Sequence, residues 1–161
     1  MSVAAILADA RRRLADAPRE GLGEQVHPRR ILGIARAPRI VPRGSAWRVG
    51  VLLLSEDAVY AVGDILRARE EVRRGFTAEA QRRRAALAAA ARRGGFAEGA
   101  TVHIGWRMLD PVAVDTGGAS GPLAIVDGVP SVKWSASGGY TPLQGYLDDR
   151  IALLLDHPLD G

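Results

Sequence analysis

The residue types best suited to chemistry cluster late in the chain, at His103, Arg107, Asp110 and Asp115. An imidazole moves protons near neutral pH, a guanidinium grips an oxyanion, and a carboxylate serves as a general base. Their spacing places them on one strand and its exit, so a site built from them would form at a sheet end. His103, Asp110 and Asp115 are the catalytic candidates of that set, and Arg107 a binding candidate. The plainer reading starts from the alternation of Val102, Ile104 and Trp106 with His103, Gly105 and Arg107. It makes His103 and Arg107 ordinary polar residues on the solvent face of a sheet. Asp115-Thr116-Gly117 follows an apolar run, the setting in which two carboxylates of a symmetric dimer can share a proton. A single such tripeptide, with Gly118 directly after it, reads more simply as turn chemistry.

A second constellation is cationic. Arg82, Arg83 and Arg84, with Arg92 and Arg93 further on, mark a basic helix able to hold phosphates or carboxylates. Successive helical residues point about 100° apart, so the three adjacent arginines make no single stripe. Solvated ion pairs with Glu70, Glu71 and Glu79 are the bland alternative. The glycine-rich stretch 116–122 lacks the Gly-Lys-Ser/Thr of a phosphate loop. His27, His103 and His157 form no ligand pair, and cysteine is absent, so the sequence implies no metal site and no cofactor.

Charge is unevenly distributed along the 161 residues, whose formal net charge is +4. Residues 1–50 hold ten basic and four acidic groups, whereas 101–161 hold three basic and seven acidic groups. A basic N-terminal half of this kind suits a polyanion such as nucleic acid. Aromatic residues, at 5%, are sparse for base stacking. Apolar runs such as Val49–Leu54 fall far short of the roughly 20 residues that span a bilayer, and Val3–Ala8 is too short for a secretory leader. The expectation is a cytoplasmic protein without a membrane partner.

These residues need elements to hold them. Ser2 caps a helix over 2–16 with a stripe of Val3, Ile6, Leu7, Ala10 and Leu14. Residues 21–45, with Pro28, Pro38 and Pro42, read as extended chain or edge strand. Residues 47–54 and 58–62 form a hairpin, with the leucine end buried on both faces. A thin stripe of Ile65, Ala68, Arg69 and Val72 predicts a short helix. Thr77 opens an alanine-rich helix that Gly94-Gly95 ends. Strands follow over 102–108 and 112–114. Asp127-Gly128 turns a hairpin, and Thr141-Pro142 starts a last helix that ends at His157-Pro158.

The order predicts one α+β domain over 1–161. A largely antiparallel sheet, with a partial barrel as a variant, is covered by helices and flanked by N- and C-terminal ones. Alanine faces bury little area, so the helix from Thr77 asks for close packing against a second element or a second chain, and a homodimer is the preferred state. The leading functional expectation is a non-catalytic binding or self-association domain. Polyanion binding by the arginine-rich half and a small enzyme at His103 are the alternatives.

Overall fold

The computed structural model describes residues 1–29, 32–34, 36–71 and 78–156. In chain order its elements are α1 (Val3–Arg13), β1 (Glu20–Val26), β2 (Arg39–Val49), β3 (Leu52–Leu54), β4 (Val59–Ala61), β5 (Asp64–Arg67) and α2 (Glu79–Gly94). Then come β6 (Thr101–Ile104), β7 (Arg107–Met108), α3 (Pro111–Asp115), β8 (Ala119–Ser120), β9 (Leu123–Val126), β10 (Val129–Lys133), β11 (Tyr140–Pro142) and α4 (Leu143–Asp156). This is an α+β fold with mixed and antiparallel pairing and a helix towards each end. No closed barrel forms among the described strands.

The chain divides into two compact units. The first comprises 1–19, 46–62 and 107–161, and the second comprises 20–45 and 63–106. In the first, β2, β3, β4 and β7 lie in that order, and a separate antiparallel sheet runs β11-β10-β9-β8. Leu52, Leu53 and Leu54 are all fully buried as expected, but the single strand expected over 47–54 breaks at Gly50-Val51, where the chain turns from β2 into β3. The α1 stripe of Val3, Ile6, Leu7 and Ala10, with Leu14, meets Leu143, Tyr146, Leu147 and Ile151 of α4 in one large core. Arg11 ties α1 to the β3–β4 turn, donating to the carbonyls of Ser55 at 2.7 Å and Ala58 at 3.0 Å. Burial lowers the pKa of that guanidinium, and nearby Asp57 opposes the shift. The β9–β10 hairpin turns at Asp127-Gly128, both with positive φ (49° and 77°), as the dipeptide predicts.

In the second unit the order is β5-β6-β1-β2. β1 and β6 pair in parallel, Leu22 opposite His103, an arrangement the hairpin signals do not disclose. The α2 helix packs Ala90 and Ala91 onto Ile40, Ala68, Phe96, Val102 and Ile104. The close packing that its shallow face asks for is therefore supplied by the unit's own sheet. Gly94 makes this possible, because a Cβ there would sit 1.7 Å from the Ile40 carbonyl oxygen.

Several local expectations change. Residues 64–67 form strand β5, not a helix, because pairing with β6 outweighs a thin four-residue periodicity. Residues 112–114 belong to the short helix α3, which Asp110 caps and Pro111 opens. Thr141-Pro142 lies in strand β11, paired with β10, and α4 begins one residue later at Leu143. The continuous strand expected over 102–108 breaks at Gly105-Trp106 into β6 and β7. The predicted cap Thr77 and the terminal His157-Pro158 lie outside the described residues.

Candidate functional site

His103 does not face solvent. The pleat puts it opposite Val102 and Ile104 as predicted, between Leu22 of β1 and Ile65 of β5, but it is fully buried there. Its Nε2 lies 3.0 Å from Glu20 Oε1. Its Nδ1 has no hydrogen-bonding partner among the described residues. The Glu20 partner comes from far along the chain, through the parallel β1–β6 pairing.

The late cluster is divided between the two units. His103 belongs to the second unit, whereas Arg107, Asp110 and Asp115 belong to the first. Asp110 is the N-cap of α3. Its carboxylate accepts from the Ala113 amide at 3.0 Å, and its own amide donates to Ser120 Oγ at 2.9 Å. The Asp115 carboxylate accepts from the first amides of α1, Val3 at 2.7 Å and Ala4 at 3.1 Å. Both carboxylates therefore satisfy helix-terminal amides that would otherwise lack partners. Asp115-Thr116-Gly117 ends a helix instead of following a strand, and Thr116 Oγ1 donates back to the Val112 and Ala113 carbonyls. Arg107 is exposed on the two-residue strand β7.

The arginine cluster fares differently. The first two turns of α2, Glu79 to Arg84, are exposed on all sides, while Ala89 to Ala91 are buried. The helix is thus seated by its C-terminal half, and its N-terminal half stands clear of β5. Two contiguous clefts, each about 500 Å³, occupy that gap and share Ile65, Leu66 and Arg84. The first adds Asp64, Glu79, Ala80, Arg83 and Leu87. The second adds Arg67, Arg69, Gln81, Ala85 and Ala88. The segment after β5 is fixed by backbone bonds, the Ala68 amide to Ala100 O at 2.9 Å and the Arg69 amide to Ala88 O at 3.1 Å. These hold Arg69 at the cleft.

Of the ion pairs expected between the arginines of this helix and Glu70, Glu71 and Glu79, that of Arg93 with Glu71 is present, while Arg82, Arg83 and Arg84 make none among the described residues. Glu71 lies 3.9 Å from Arg93, and Glu98, whose carboxylate accepts from the Glu70 amide, lies 3.8 Å from Arg92. Glu24 pairs with Arg43. Arg67, Arg69, Arg83 and Arg84 are left around an apolar floor with no ion pair among the described residues. The second unit carries fourteen basic and seven acidic residues, the first unit eight and eleven.

Arg67 and Arg69 escape a reading of the sequence because a helix over 65–72 scatters them, whereas a strand end and its tied exit bring them to one cleft. The usable signal was Leu66-Arg67-Ala68-Arg69, whose apolar–basic alternation has the two-residue period of a strand.

No protein-family model, curated protein or solved structure matches this chain. Among the described residues no helix is long and apolar enough to cross a membrane, and no three His, Cys, Asp or Glu side chains are grouped to hold a metal ion.

Proposed function

We propose that this chain is a non-catalytic, cytoplasmic binding protein whose ligand is anionic and docks in the α2–β5 clefts of the basic unit. One observation carries the reading: Arg67, Arg69, Arg83 and Arg84 line contiguous clefts floored by Ile65, Leu66 and Leu87, without ion pairs among the described residues. Guanidinium groups beside apolar surface form stronger hydrogen bonds to carboxylate or phosphate than fully hydrated ones do. The excess positive charge of the unit raises the encounter rate with an anion. The engagement of Asp110 and Asp115 as helix caps supports binding over catalysis.

Fluorescence anisotropy with labelled polyglutamate and heparin oligosaccharide tests this. Binding at low salt should weaken steeply as NaCl rises. The double variant Arg69→Ala/Arg84→Ala should lose about tenfold in affinity or more, the loss of one or two charge-assisted hydrogen bonds. Equal affinity of the variant and the native chain would refute the site.

A further inference from the structure

The clefts run along a strand whose outer edge pairs with no described strand. β5 is the end strand of its sheet, paired with β6 on one side and with no described residue on the other. An unpaired strand edge presents peptide N–H and C=O groups that require partners. Proline and bulges, which commonly blunt such an edge, are missing from Asp64–Arg67, and Ile65 is 40% exposed at its middle.

We propose that the ligand is an extended acidic peptide that adds to the outer edge of β5 as a further strand, an inference that rests on the anion-binding reading above. Main-chain hydrogen bonds to β5 supply register-independent affinity, and side chains select the sequence. Alternate side chains of an added strand point to opposite faces. Those turned towards α2 enter the clefts, where Arg69, Arg83 and Arg84 favour carboxylates. Ile65 and Arg67 alternate onto the His103 side of β5 and still line the clefts, so the clefts take in both faces of the strand at its outer edge. Asp64 and Glu79 make one end of the first cleft acidic, whereas Arg67 and Arg69 give the second its basic character. The charge gradient along the edge therefore sets the direction of the peptide, its most acidic part over the second cleft.

Nucleic acid fits these walls less well. Among the described residues neither cleft is lined by Phe, Tyr or Trp on which bases stack, and a phosphodiester chain has no use for a strand edge.

The test uses the full chain and three probes of equal charge: an alternating Glu/Val peptide, the same peptide N-methylated at every second amide, and a single-stranded oligonucleotide. The proposal predicts that the unmodified peptide binds best and that methylation weakens it at least tenfold, since methylation removes edge donors and leaves charge unchanged. If both peptides bind equally, strand addition is overturned while the anion site stands. If the oligonucleotide binds more tightly than the peptide, the ligand class is overturned in favour of nucleic acid. If none of the probes binds at low salt, the anion-binding reading fails as well.

Discussion

The two units of this chain use the same residue types for opposite purposes. In the first, the functional groups close the fold: Asp115 and Asp110 cap helices, Arg11 holds a turn, and the Tyr146 hydroxyl accepts from the Val51 amide at 3.0 Å. In the second, arginines stand around open clefts with no ion pair among the described residues. The cores differ in parallel. Among the described residues the core cluster of the first unit holds nineteen buried apolar residues, mostly large aliphatic ones, and that of the second holds seven, three of them alanine. In the second unit the N-terminal half of α2 is exposed while Ala89 to Ala91 are buried.

The sharpest way to break this contrast is to remove atoms from one core and add them to the other. Leu7→Ala in the first unit deletes a fully buried side chain and should cost about 2–5 kcal/mol, read as a lower urea midpoint. In the second unit the sensitive change is an addition. Gly94→Ala forces a methyl group against the Ile40 backbone and should destabilise by about 1–3 kcal/mol, visible as faster amide exchange in α2, β1 and β6. A neutral Gly94→Ala would mean that α2 is not held by backbone contact.

Next in size is Asp115→Ala, which leaves the Val3 and Ala4 amides without their acceptor and should cost about 1–2 kcal/mol in thermal unfolding. An unchanged melting temperature would show that the carboxylate does not cap α1. The smallest effect belongs to Arg83→Ala and Arg84→Ala. Both side chains are exposed and make no ion pair among the described residues, so stability should stay within about 0.5 kcal/mol of the native chain. A large loss would assign these arginines to the fold and remove the contrast between the units.

How far the sequence discloses this arrangement depends on the range of the interactions. Local signals hold well. Ser2 caps α1, its hydroxyl oxygen accepting from the Ala5 amide at 3.1 Å, the α1 and α4 stripes are buried, and Asp127-Gly128 turns the hairpin. Each depends on residues within one or two turns of each other. Two of the misreadings come from pairing across distance. β5 is a strand beside β6, and the parallel pairing of β1 with β6 brings Glu20 within reach of the buried His103. Alternation correctly gave the side of the sheet on which His103 lies, but not what covers that side. The α2 arginines were visible from composition. Their cleft was not, since it needs β5, Arg67 and Arg69 in their folded positions.

The account turns on the claim that the basic unit, through β5 and the front of α2, is the binding region. Hydrogen–deuterium exchange of the full chain with and without saturating polyglutamate tests it directly. The account predicts slower exchange over 63–71 and 78–88 and no change in α1 or α4. Protection confined to the first unit, or no protection at a probe concentration that saturates anisotropy, would contradict it.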